Sequence, residues 1–156
     1  MIVRVFVYGT LKAGFRNQHW NGARLIERYR SLERYPLLVL GPSYLPWLSE
    51  QPGQGEQVIG ELYEADAAQL AKMDELEELD KPDWYRRGEI ELEPERGGEV
   101  LTALVYFGSP VRAAIETVHA GPMSEYTMEI EQRFLPLRAV QQDAAADQAR
   151  LSTRRY

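Results

Sequence analysis

Apolar residues in this chain fall into short runs separated by turn-forming residues, and the period of those runs changes along the sequence. From Ile2 to Tyr8 every residue except Arg4 is β-branched or aromatic, and the run leads directly into Gly9-Thr10. Such a run reads as a strand that ends in a loop with glycine at its mouth. Residues 14–27 mix polar and apolar positions, with Trp20, Leu25 and Ile26 placed to anchor a helical turn or two. Tyr35 to Leu40 reads as a short apolar strand. Pro42, Pro46, Pro52, Gly53 and Gly55 then punctuate a long irregular segment before strand character resumes from Val58 to Tyr63.

The period then becomes helical. Asp66 is a cap residue ahead of a helix running to about Leu79, and Lys81-Pro82-Asp83 stops it. Two further strands are predicted, Tyr85 to Leu92 with alternating side chains and Val100 to Phe107, joined by a charged turn that contains Gly97-Gly98. Strands outnumber helices, and the connections are too short for repeated crossovers. The pattern therefore predicts an α+β fold: a small, mixed, barrel-like sheet with flanking helices. Val111 to His119 reads as helical, and the chain after Pro110 is expected to be peripheral. Residues 1–138 form the expected domain, followed by a helical or flexible extension over 139–156 that is rich in Ala, Gln and Asp.

Composition narrows the function classes. The 156 residues are 44% hydrophobic, enough for one self-sufficient core at about 150 residues per domain. Cysteine is absent, which removes disulfide scaffolds, thiol nucleophiles and cysteine metal sites. A net charge of −6 opposes phosphate attraction, so no nucleic-acid partner is expected. The apolar runs are far short of a membrane span, and the N-terminal residues lack the features of a signal peptide; a cytoplasmic monomer or homodimer is expected. His19 and His119 are the only histidines, too few for a histidine-rich metal site, and no metal or other cofactor is expected. No Gly-x-Ser-x-Gly elbow occurs, and the glycines at 53, 55 and 60 fit neither a dinucleotide nor a phosphate loop.

Two local features carry chemistry. Glu77 falls four residues after Met73 and seven after Leu70, so it continues the inward stripe of its helix, with Asp74 close to the same face. Either Asp74 to Asp80 is a solvated acidic helix end, or burial raises the pKa of Glu77 and makes it a general acid/base. The loop Tyr8-Gly9-Thr10-Leu11-Lys12 is either an ordinary turn or a nest of backbone amides that binds an anion.

Taken in order, Val5-Phe6-Val7-Tyr8-Gly9-Thr10-Leu11-Lys12, Tyr35-Pro36-Leu37, Val58-Ile59-Gly60-Glu61-Leu62-Tyr63, Met73-Asp74-Glu75-Leu76-Glu77 and Tyr85-Arg86-Arg87 resemble the γ-glutamylcyclotransferase-like family. The spacing is most similar to its γ-glutamylamine cyclotransferase branch. The resemblance covers residues 2–107 and implies an enzyme that releases 5-oxoproline and an amine from a small γ-glutamyl substrate. It also implies Glu77 as the catalytic acid/base, and Tyr8, Gly9, Thr10, Leu11 and Tyr85 as substrate-binding residues. The chain departs from the family pattern at Glu78, where glycine commonly follows the catalytic glutamate, and by two additional residues before Tyr85. The alternatives are a non-catalytic module that binds a small acid, or a protein-interaction domain on the same fold.

Overall fold

Five strands close into a barrel in the order β1-β5-β2-β6-β7, and three more form a small sheet in the order β4-β3-β8. The structure is a computed structural model that describes residues 1–138, so the expected extension over 139–156 lies outside the described residues. The barrel strands are β1 (Ile2–Val7), β2 (Arg24–Tyr35), β5 (Glu56–Asp66), β6 (Tyr85–Pro94) and β7 (Leu101–Gly108). The small sheet comprises β3 (Leu37–Leu40), β4 (Leu45–Leu48) and β8 (Val118–Met123), and the helices are α1 (Ala67–Glu77) and α2 (Pro110–Ile115). This is the mixed α+β architecture that the run lengths predict.

β1 explains why its sequence is apolar without alternation. Phe6 and, just past the strand, Tyr8 belong to the core that fills the barrel, whereas Val5 and Val7 pack on the outside with Leu70 and Met73 of α1. A strand buried on both faces needs apolar residues at every position. α1 begins at a reciprocal cap: Gln69 N–H donates to Asp66 Oδ1 at 2.8 Å, and Asp66 N–H donates to Gln69 Oε1 at 2.9 Å.

Three segments differ from the sequence expectation. The region around Trp20 forms only a 3-10 turn, Gln18–Trp20, and residues from Arg24 onward are the long strand β2. Its strand period is hidden because its outward residues are charged, pairing across the barrel as Arg24–Glu64 at 3.0 Å and Arg30–Glu93 at 2.9 Å, and register shifts interrupt the alternation. β4 forms within the Pro/Gly-rich segment because Leu45–Leu48 can pair along β3, with Pro46 opposite Val39. The chain after Pro110 is not peripheral: α2 ends at Ile115, β8 pairs with β3, and Tyr126 and Phe134 are 1% and 5% exposed in the barrel core. Thr127 caps a helical stretch over 128–138, with its Oγ1 accepting from Ile130 N–H at 3.3 Å.

α1 ends where Glu78 adopts a left-handed conformation, φ 51° and ψ 54°. A side chain there costs about 1–2 kcal/mol relative to the right-handed region, and glycine carries no such penalty. Glu78→Gly is expected to raise unfolding free energy by about 0.5–1 kcal/mol, after the greater unfolded-state freedom of glycine is deducted. Urea denaturation of the two proteins measures it.

Candidate active site

A cavity of about 370 Å³ opens at the barrel mouth, where β1 ends and β6 begins. Tyr8, Gly9, Thr10, Leu11, Glu77 and Tyr85 all line it, so the structure brings every sequence-predicted site residue to one place. Each arrives for a local reason. The Leu70/Met73 stripe of α1 packs on Val5 and Val7; one turn further on, the same stripe passes the end of β1 and presents Glu77 to the cavity. Asp74 stays outside. It accepts hydrogen bonds from the Tyr106 hydroxyl at 2.7 Å and from Arg87, which tie α1 to β7 and β6. Both histidines lie elsewhere: His19 is exposed beside Trp20, and His119 stacks on Tyr44 at 4.2 Å.

The loop after β1 is pinned from several sides. Lys12 N–H donates to Gly9 O at 3.1 Å, Asn17 N–H donates to Thr10 O at 3.0 Å, and Asn17 Nδ2 donates to Thr10 Oγ1 at 2.9 Å. Glu61 accepts from Ala13 N–H at 2.8 Å, and the buried Lys12 ammonium donates to Tyr126 O at 2.5 Å. These bonds leave the N–H groups of Gly9, Thr10 and Leu11 without a protein acceptor among the described residues. Successive free amides beside a cavity make an anion cradle that requires no reorganisation. Gly9 lies tight against β4: a Cβ there would sit 3.0 Å from the Pro46 ring, which would have to give way.

Burial pushes the Glu77 carboxyl up to about 8, and the neighbouring charges of Asp74 and Glu78 add to the shift. Its protonation therefore changes near neutral pH. Burial also raises the Tyr8 and Tyr85 hydroxyls well above the usual phenol range, so both keep their protons. Those protons are committed to backbone carbonyls: Tyr8 donates to Tyr106 O at 2.5 Å, and Tyr85 donates to Pro46 O at 2.6 Å. Among the described residues no His, Asp and Glu side chains are grouped as metal ligands would be, and no helix is long and apolar enough to cross a membrane.

The wall also holds residues that the sequence does not single out as catalytic or substrate-binding. Ser43, Leu45 and Pro46 come from the segment read as irregular, Lys81 and Trp84 from the link between α1 and β6, and Arg138 from the end of the chain read as peripheral. For Pro46 and Trp84 a signal existed, because a proline and a tryptophan beside apolar residues often mark a packed turn. For Arg138 there was none, since its place depends on the last helical stretch folding back over Ser43, whose carbonyl accepts from Arg138 Nη1 at 3.2 Å.

The chain matches the family described as Gamma-glutamyl cyclotransferase, AIG2-like, over residues 5–126. It is 43% identical over 111 residues to Gamma-glutamylaminecyclotransferase B of Danio rerio, a match covering 65% of this chain and 57% of that one. It is 39% identical over 108 residues to Gamma-glutamylaminecyclotransferase of Bos taurus, covering 65% of this chain and 63% of that one. The chain thus spans about three fifths of the length of these curated relatives. The crystal structure of an AIG2-like protein from Mus musculus superposes with a TM-score of 0.66 at 30% identity, covering 81% of this chain and 88% of that chain. With the family model matched over residues 5–126, most of the described chain, this protein belongs to the γ-glutamyl cyclotransferase, AIG2-like family.

Proposed function

We propose that the protein is a cyclotransferase acting on γ-glutamyl amines by intramolecular aminolysis. The observation that carries this reading is one carboxyl, poised at about 8, in the same cavity as a glycine-containing loop whose Gly9, Thr10 and Leu11 N–H groups have no protein acceptor among the described residues. The names of the relatives in Danio rerio and Bos taurus support the substrate class.

In the proposed reaction the loop amides of Gly9 to Leu11 hold the substrate α-carboxylate, and the α-ammonium faces Glu77. Glu77 accepts one proton from the ammonium, and the freed amine attacks the side-chain carbonyl carbon of the same molecule. A C–N bond forms, closing the ring of 5-oxoproline. The ring nitrogen gives up its second proton as the original amide C–N bond breaks; Glu77 returns the first proton to the departing nitrogen, and the amine leaves with both as its ammonium. Nucleophile and electrophile share one molecule, so the cavity supplies rate chiefly by holding the ring-closing conformer. Every electron pair and proton is accounted for by substrate and Glu77 alone, which is why the reaction calls for no cofactor. A cysteine-free chain acting on a small, polar amide fits a cytoplasmic location.

Glu77→Gln is expected to retain the fold and lower kcat at least about 100-fold, because the amide keeps the shape but cannot carry the proton; release of 5-oxoproline from a γ-glutamyl alkylamide measures it. In the wild type, kcat/KM should rise with pH through a midpoint near 8 as free Glu77 ionises, then fall as the substrate ammonium is lost. Stability follows the opposite course. The folded state holds a proton on Glu77 that the unfolded state releases above about 4.5, so this contribution is present at acid pH and is lost as pH rises towards 8. Between those limits Glu77→Gln should gain on the wild type by up to about 1.4 kcal/mol per pH unit, and parallel urea titrations at several pH values test that slope.

A further inference from the structure

A second cavity of about 220 Å³ lies behind the catalytic one, and Ser43, Leu45, Lys81 and Trp84 line both. Its remaining walls include the buried Leu40 and Trp47 and the half-buried Arg112 and Glu116. At this size it is smaller than the roughly 300 Å³ at which small-molecule sites begin. It is better matched to one part of a larger ligand whose other part occupies the adjoining cavity.

Lys81 Nζ rests 3.8 Å above the Trp84 ring and 3.9 Å from Glu78, with its side chain 47% exposed. Contacts of this kind are weak at the surface, so the Lys81 side chain can swing off the ring at little cost. The surface it uncovers is apolar. Trp84 meets the edge of Trp47 at 5.1 Å, and Leu40 and Leu45 continue the wall. Charge at the rim is paired, Lys81 with Glu78 at 3.9 Å and Arg112 with Glu116 at 3.4 Å. A flat apolar group can take the place of Lys81 against Trp84.

Resting on the cyclotransferase reading, we propose that this annex receives the body of the departing amine. The preferred substrates are then γ-glutamyl amides of amines that carry an aryl or bulky apolar group. The glutamyl part stays in the catalytic cavity, with its amide nitrogen near Glu77, and the rest of the amine passes between Ser43 and Trp84.

Three probes test this: the γ-glutamyl amides of methylamine, phenethylamine and 1,4-diaminobutane. With the wild type, kcat/KM for the phenethylamide is expected to exceed that for the methylamide by about tenfold, the effect of burying roughly two methylene equivalents. The diaminobutane derivative should fall below the phenethylamide, and Trp84→Ala should abolish the aryl advantage. Equal values for all three probes, or preference for the diamine, would overturn the proposal. A binding measurement that needs no turnover runs beside it. The chain has three tryptophans, and Trp47 faces the annex but not the catalytic cavity. In Glu77→Gln, the Trp47 indole N–H signal should shift on titration with the phenethylamide and not with the methylamide, while Trp20 stays unmoved. A Trp47 signal that responds to both or to neither counts against the annex. If the wild type releases no 5-oxoproline from any probe, the cyclotransferase reading fails, and the indole titration still decides the subsite.

Discussion

The barrel closes through a single parallel seam, β1 beside β7 with Val5 opposite Leu104, and that seam fixes where the site can be. β1 also pairs antiparallel with β5 from Ile2 to Val7, so it is held on both edges and buried on both faces. The ladder stops at Val7. Past that point the backbone N–H groups have no strand to bond, and the bonds that pin the Gly9 to Asn17 loop engage other atoms. Free amides at the mouth are therefore a consequence of where pairing ends. On the outer face, Val5 and Val7 seat Leu70 and Met73, which sets the axial position of α1 and places Glu77 one turn beyond the last packed residue. Both halves of the site are registered to the same strand.

This dependence explains what could be read from the sequence. β1 and α1 carry their own signals, an apolar run and a capped helix with a 3.6-residue stripe, because each buries its residues against sequence neighbours or one another. Glu77 and the Tyr8 to Leu11 loop were legible for that reason. β2, β4 and β8 were not. β2 satisfies its outer face with ion pairs, β4 contains a proline, and β8 is held by β3, some 80 residues earlier in the chain. Wall residues that these strands and the last helix deliver, such as Pro46 and Arg138, inherit the same illegibility. Tyr85 was legible as a residue of the cavity but not as a strut, because the acceptor of its hydroxyl proton, Pro46 O, lies on a strand the pattern did not predict.

Glu78 shows how a departure from a familiar pattern is absorbed. The position needs a left-handed backbone, which glycine adopts freely and glutamate does not. In exchange for that strain the chain places a carboxylate beside Glu77, where it adds to the upward shift of that carboxyl, and within 3.9 Å of Lys81. Glu78 thus bears on both the buried carboxyl and the cation that covers Trp84. The backbone penalty is on the order of 1 kcal/mol, small beside a typical domain stability of about 5–15 kcal/mol.

A carboxylate in its ordinary range is a poor base for an ammonium group, because the proton must move far uphill. At about 1.4 kcal/mol per pH unit, raising the acceptor from about 4.5 to about 8 removes on the order of 5 kcal/mol from that step. Burial achieves this without any cation or metal, but it carries a consequence for the empty cavity. A lone buried charge would be too costly for a protein of ordinary stability, so free Glu77 holds a proton through neutral pH. In the proposed reaction the substrate alters the balance, since its ammonium supplies the opposite charge that favours ionisation of Glu77. The base is then strongest in isolation and most readily ionised when the group it must deprotonate is present. Proton affinity and substrate occupancy are coupled through one carboxyl, which is how a site with so few ionisable groups can both accept a proton at the start of the reaction and return it at the end.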